Sequence, residues 1–244
     1  MSLIETHQLT KAYGFLPVLK KLDFSVERGE FVALLGPNGS GKSTLIRLLC
    51  ALIKPSSGKI VIGGWSLPNE AASVLPQIGL VSHKVLLYEN LSARENLHFF
   101  GRLYNLEESP RKARVETLLK QVGLARRGDD LVRNYSRGMQ QRLSIARALL
   151  HNPDILLFDE PHTGLDQSAA LMLDELMLSA QANGRTILMS THDLDRAQTI
   201  ANRAVILSKG VIGFDQPTTS LQAGELAQTY TAITGLAQPE RANI

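Results

Sequence analysis

An α/β fold built on a mainly parallel sheet is what this sequence predicts, on three observations. Apolar runs of strand length recur at Phe31–Leu35, Asp154–Phe158, Thr186–Met189 and Arg203–Leu207. The first runs straight into the glycine loop Gly36-Pro-Asn-Gly-Ser-Gly-Lys-Ser43, and helical spacing resumes after the loop and after later strands. Strands buried on both faces read as unbroken apolar runs, and their alternation with helices implies parallel pairing with both faces covered.

In chain order, Leu22–Val26 alternates like a half-buried strand and ends in the turn Glu27-Arg-Gly29. Phe31–Leu35 follows, then the glycine loop and a helix over Ser43–Cys50, closed by Pro55-Ser-Ser-Gly58. Lys59–Ile62 and Ile78–Val81 read as strands. From Ser92 to Val122 the character changes to charged amphipathic helix, with a break expected at Glu107-Glu-Ser-Pro110. This stretch is read as an inserted helical lobe spanning about residues 82–135. The hydroxyl–glycine turn at Tyr135-Ser-Arg-Gly138 opens another helix. Then come the strand 154–158, a helix from Gln167, the strand 186–189, a helix from Asp193 and the strand 203–207. Residues 1–217 are expected to form one domain, followed over 218–244 by a short helix (roughly Ser220–Ile233) and a polar tail.

Composition narrows the partners. Aromatic residues make up 5%, too few for a base-stacking surface, so no nucleic-acid partner is expected. The formal charge of +3 over 244 residues describes a slightly basic surface. Cys50, the single cysteine, excludes an internal disulfide and reads as a small buried hydrophobe. No apolar run approaches the ~20 residues needed to cross a bilayer, and the first residues lack a secretory pattern. The expectation is a cytosolic chain held at a membrane, if at all, by another protein.

The chemistry-bearing residues fall at two ends of strands. In the loop 36–43, glycines let the backbone curl so that N–H groups face phosphate oxygens, and the following helix N-terminus adds positive potential. Lys42 is placed to reach the β- and γ-phosphates, and the Ser43 hydroxyl to ligate Mg²⁺. Kinases, GTPases and transport ATPases all use such a loop. Ile155-Leu-Leu-Phe-Asp159-Glu160 delivers Asp159, the metal-side acid, to the end of a strand. Glu160, expected to point the other way, is placed to polarise an attacking water as general base.

Taken together these motifs resemble the ATP-binding subunit of an ABC transporter, from about residue 2 to about residue 215. The signature turn aligns with Tyr135-Ser136-Arg137-Gly138-Met139, the turn after the glutamate with Thr163-Gly164-Leu165-Asp166, the switch histidine with His192 and the adenine-stacking aromatic with Tyr13. The resemblance implies a phosphate-loop NTPase core (P-loop NTPase) with an N-terminal antiparallel β subdomain and an inserted α-helical subdomain. It implies ATP and Mg²⁺ as cofactors, with Tyr13, Gly36, Pro37, Asn38, Gly39, Ser40, Gly41, Lys42, Ser43 and Thr44 on the ATP. Lys42, Glu160 and His192 carry hydrolysis in that reading. Ser136, Gly138 and Asp166 serve the ATP of a partner subunit, so that ATP joins two subunits, most simply as a homodimer, and hydrolysis releases them.

Three departures accompany the resemblance. Arg137 and Met139 stand where glycine and glutamine are usual. His162 stands after Pro161, where it is read as surface variation. His83 stands where a metal- and water-contacting glutamine is usual, either as a weaker, pH-sensitive metal-side group or as a residue outside the metal shell. A separately encoded permease is implied, docking on the helical lobe and holding the chain at the cytoplasmic side of the membrane. The combination of His83, Leu91-Ser-Ala-Arg-Glu-Asn96 and the Tyr135–Met139 signature resembles bacterial exporter ATPases, foremost the haem exporter of cytochrome c maturation and next drug or polysaccharide exporters. A soluble ABC ATPase of translation or DNA repair is the different-class alternative, and a phosphate-loop small-molecule kinase lacks any reason for the signature turn and His192.

Overall fold

The computed structural model describes residues 2–82, 85–222 and 224–236. The chain opens with a long antiparallel hairpin, β1 (Ser2–Tyr13) and β2 (Leu16–Glu27). Its register shifts at four places, and Gln8 and Lys21 take left-handed φ of 48° and 49°. These irregularities scramble the period of two, which is why only Leu22–Val26 shows as a strand in the sequence. β3 (Phe31–Leu35) leads through the glycine loop to α1 (Lys42–Leu49), followed by β4 (Ser57–Ile62), β5 (Trp65–Leu67), the single turn α2 (Ala71–Val74) and β6 (Ile78–Val81).

Next come α3 (Ala93–Leu103) and α4 (Glu108–Gln121). A capping box starts α3: Ser92 Oγ accepts from the Glu95 N–H at 3.1 Å, and the Glu95 carboxylate accepts from the Ser92 N–H at 2.7 Å. The break between the two helices lies at residues 104–107, ahead of the expected 107–110. Pro110 sits inside the first turn of α4, where its missing N–H has no intrahelical acceptor to lose. α5 (Arg137–Leu149), β7 (Ile155–Asp159), α6 (Gln167–Ala182), β8 (Thr186–Ser190), α7 (Leu194–Ile200), β9 (Arg203–Ser208), β10 (Val211–Pro217) and α8 (Glu225–Thr234) complete the order. The last helix begins at Glu225 rather than near Ser220, because residues 218–220 form a separate 3₁₀ turn.

The strands make two sheets: an antiparallel one in the order β2-β1-β4-β5, and a six-stranded one in the order β10-β9-β3-β8-β7-β6. The larger sheet is parallel except for β10, which returns antiparallel along the β9 edge. Alternation along its central strands divides the core in two. Phe31, Ala33, Leu35, Leu156, Phe158, Ile187 and Met189 face a cluster covered by α3–α8. Val32, Leu34, Ile155, Leu157 and Leu188 face the other side, where α1 and the antiparallel sheet pack. Fully burying each of these side chains other than Ala33 contributes about 1.5–3 kcal/mol. Those central strands are thus clamped on both faces, and their C-terminal ends form a rigid rim for the loops that follow.

Candidate functional site

A cavity of about 840 Å³ opens at that rim, where the ends of β3, β7 and β8 meet. This is where open α/β sheets present ligands, and the volume suits a nucleotide-sized molecule. Gly36, Pro37, Asn38 and Ser43 line one wall; Asp159, Glu160, Thr163 and His192 line the opposite one. Tyr230 on α8 and Leu236 just beyond it close one side.

The loop wall is built around close backbone approach. Gly36 has φ 149°, and a β-carbon there would lie 2.1 Å from the Leu207 carbonyl oxygen and 2.7 Å from Ser40 Oγ. No side chain fits. Ser40 Oγ is itself buried without a hydrogen-bond partner, an orphaned polar atom in a loop built to receive oxygens. Gly39, Gly41 and Thr44 complete the same loop and helix start. Lys42 is buried, its ammonium donating to the Gly36 carbonyl at 2.6 Å and the Pro37 carbonyl at 3.3 Å, with Glu160 Oε1 at 3.5 Å.

On the facing wall, Asp159 is buried, and its Oδ1 accepts from both Ser43 Oγ and Ser190 Oγ at 2.8 Å. Ser190 also accepts the Glu160 N–H, at 3.0 Å on its hydroxyl and 3.2 Å on its carbonyl. The expectation that Glu160 points away from Asp159 is corrected: both carboxylates line one cavity. Glu160 takes a left-handed φ of 52°, so strand alternation stops at Asp159 and the next side chain swings back toward the loop. That conformation costs on the order of 1–3 kcal/mol for a non-glycine residue and needs a surrounding frame to hold it.

Glu160 Oε2 stands 2.8 Å from His192 Nδ1. Burial disfavours the Glu160 carboxylate most strongly, but the His192 hydrogen bond and the Lys42 charge together outweigh it and hold the group below its ordinary range. For His192 the bond to Glu160 dominates over burial and lifts the imidazole above its ordinary value. An ionised carboxylate, an imidazole and an ammonium thus converge on one point, an arrangement able to accept a proton from water and to neutralise a phosphate. Ser43 and Asp159 offer hard oxygen donors, as Mg²⁺ prefers. Among the described residues no group of three or more His, Cys, Asp or Glu could hold a metal ion.

The remaining expected residues lie apart from this cavity. Tyr13 is half exposed at the end of β1, with the Lys11 ammonium 5.1 Å from its ring centre. Ser136 caps α5, accepting the Met139 N–H at 3.3 Å, with Gly138 in the first turn of that helix. Asp166 caps α6, accepting the Ala169 N–H at 2.8 Å. The two turns pack together: Gly164 has φ 78°, and a β-carbon on it would lie 2.9 Å from Arg137 Nε, so the arginine lies flat against the glycine. His83 lies outside the described residues.

His162 is not surface variation. Its ring is 13% exposed, and its Nε2 lies 2.8 Å from Asp174 Oδ1 on α6, a partner twelve positions away that no local pattern announces. Ser190, Thr163, Tyr230 and Leu236 also belong to this site without being among its expected residues. The run Ser190-Thr-His-Asp193 offered one signal, a hydroxyl at a strand end beside the switch histidine.

A family model described as ABC transporter matches residues 19–163. The chain is 35% identical to the linearmycin resistance ATP-binding protein LnrL of Bacillus subtilis, over 85% of this chain and 67% of that one. It is 38% identical to the Nod factor export ATP-binding protein I of Cupriavidus pinatubonensis, over 86% of this chain and 64% of that protein's length. It superposes with TM-score 0.81 and 28% identity on a dimeric post-hydrolysis state of the ATP-binding cassette MJ0796 bound to ADP and Pi, covering 88% of this chain and 98% of the other.

Proposed function

The chain belongs to the ABC transporter family of ATP-binding proteins, and on that premise we propose that it is the ATP-hydrolysing subunit of a membrane exporter. One observation carries the chemistry: at the wall of the loop cavity, Glu160 is paired through one oxygen with His192 at 2.8 Å and through the other with Lys42 at 3.5 Å.

In this reading the triphosphate lies along the loop, on the backbone of residues 36–43 and the N-terminus of α1. Lys42 exchanges the Gly36 and Pro37 carbonyls for phosphate oxygens. Its swing also loosens its contact with Glu160, which leaves that carboxylate free to take a proton from the attacking water. His192, bonded to the other Glu160 oxygen, fixes the carboxylate's orientation and faces the terminal phosphate. Ser43 and Asp159 would hold Mg²⁺, which would supply positive charge against the phosphate. Tyr13 stacks the adenine.

Ser136, Gly138 and Asp166 are assigned to the ATP of a second copy. None of the three lines this subunit's cavity, which supports that assignment, as does the dimeric state of MJ0796. For the permease, the helical lobe offers a ready seat. Leu52, Leu75, Leu86 and Tyr104 are exposed around an apolar cavity of about 450 Å³ between the core and that lobe, a type of surface that marks a partner site. Membrane attachment is assigned to the permease; among the described residues no helix is long and apolar enough to cross a membrane. The relatives' names, which speak of linearmycin resistance and of Nod factor export, favour the drug or other exporter over the haem type.

Two measurements test the proposal: ATP turnover by the full chain, lost in Lys42→Ala and Glu160→Gln, and co-purification in detergent with a membrane protein. Turnover by Glu160→Gln at the wild-type rate overturns the catalytic reading. Recovery with ribosomes or DNA instead of a membrane protein overturns the transport reading.

A further inference from the structure

Behind the cavity, a third carboxylate ties together the two turns that carry Glu160 and His192. Asp174 stands on α6 and is 13% exposed. Its Oδ1 accepts from His162 Nε2 at 2.8 Å, and its Oδ2 takes the Arg196 guanidinium. Arg196, in the first turn of α7, is in turn bound to the helix start. Its N–H donates to Asp193 Oδ1 at 2.9 Å, and its Nε lies 3.5 Å from Asp193 Oδ2. His162 comes two residues after Glu160, and Asp193 directly follows His192.

We propose that Asp174 is a positioning residue for the Glu160–His192 pair, holding through His162 and Arg196 the two turns that bring them to 2.8 Å. The proposal rests on the reading of Glu160 and His192 as the hydrolytic pair. Two features call for such a brace. Glu160 is held at φ 52°, and a conformation of that kind persists only where its surroundings over-determine it. α7 has seven residues, too few to fix its own N-terminus, and the His192 side chain above it is 56% exposed, so packing does little to orient it. A carboxylate buried between an imidazole and a guanidinium is also weak as a stability device, since desolvation offsets most of the attraction; fixed geometry is what such a group supplies.

The test compares the full wild-type chain with Asp174→Asn, His162→Ala and His162→Gln. It measures kcat and KM for Mg·ATP and the affinity for a non-hydrolysable ATP analogue, at a temperature where melting curves show each variant folded. Asn keeps the shape of Asp174 but not its charge; Gln in place of His162 can still donate to it. Asp174→Asn and His162→Ala are expected to lower kcat roughly tenfold, as a displaced catalytic group does, with KM and analogue affinity within about twofold. His162→Gln recovers most of the rate, and the double variant Asp174→Asn/His162→Ala is no slower than Asp174→Asn alone. A merely structural pair lowers the melting temperature and leaves kcat alone. A kcat within about twofold of wild type in folded Asp174→Asn overturns the proposal, as does a parallel loss of analogue affinity. If Asp174→Asn does not fold, His162→Ala against His162→Gln decides, and equal rates in both overturn it. Glu160→Gln in the same assay separates the two levels. Turnover by that variant sinks the reading of the site, whereas its inactivity beside a fast Asp174→Asn sinks the brace alone.

Discussion

Removing one hydroxyl, in Ser190→Ala, probes how the two carboxylates are held. Ser190 is fully buried at the end of β8; its hydroxyl donates to Asp159 Oδ1 at 2.8 Å and accepts the Glu160 N–H at 3.0 Å. A hydrogen bond to a charged group contributes about 1.5–3 kcal/mol and a neutral one about 1 kcal/mol. The Glu160 N–H keeps the Ser190 carbonyl at 3.2 Å, so the second loss is partial, and the total comes to about 2–3 kcal/mol. For a domain of this size each kcal/mol moves the melting temperature by roughly 2–4 °C, so a drop of about 4–12 °C is expected. Urea unfolding with an unchanged slope shows that the loss is one of stability. Freed from this clamp, Glu160 relaxes from its left-handed conformation, and kcat falls roughly tenfold with KM nearly constant. A melting temperature within about 2 °C of wild type together with an unaltered kcat refutes the clamp.

Other expectations concern separate parts of the molecule. Ser136→Ala and Gly138→Asp are expected to cut turnover strongly while leaving single-subunit ATP binding within about twofold; loss of nucleotide binding, read by titration, returns the signature turn to its own subunit's site. Burial, with a smaller contribution from Asp159, pushes the Cys50 thiol up to about 12. At pH 8 only about 10⁻⁴ of it is thiolate, so iodoacetamide is expected to label it in urea but not in the folded chain. His151 donates its ring N–H toward the Ile78 carbonyl at 3.0 Å and stacks on Tyr104 at 3.9 Å; burial holds its pKa below 6.5. A histidine depressed by folding contributes stability that is fully present above pH 6.5 and is lost as pH falls from there toward the folded value. The melting-temperature difference between wild type and His151→Phe is therefore expected to narrow from pH 7.5 to pH 5, and a difference that stays constant contradicts the assignment.

The parts of the fold legible in the sequence are those where one physical signal acts alone. Phe31–Leu35 and Thr186–Ser190 are buried on both faces and read as unbroken apolar runs. The phosphate loop declares itself because close backbone approach leaves glycine no substitute at Gly36. Where two signals compete the reading fails. β1 and most of β2 are hidden by bulges that break alternation, and β10 is an edge strand with few buried side chains. At Glu160 strand alternation no longer predicts the side chain's direction, because φ there is positive. The burial of His162 leaves no local mark in the sequence, because its partner, Asp174, sits on a helix that begins only after the intervening turn. Tyr230 and Leu236 reach the cavity from some seventy residues beyond Glu160, a placement set by the packing of α8 and not by any motif.

The central claim, that two copies of this chain share ATP between them, is tested most directly by the mass of Glu160→Gln in solution. With the base removed but Lys42, Ser43 and Asp159 intact, saturating Mg·ATP is expected to convert the 26.7 kDa monomer into a stable species of twice that mass by sedimentation, and ADP is not. A variant that binds Mg·ATP and still sediments as a monomer contradicts the account.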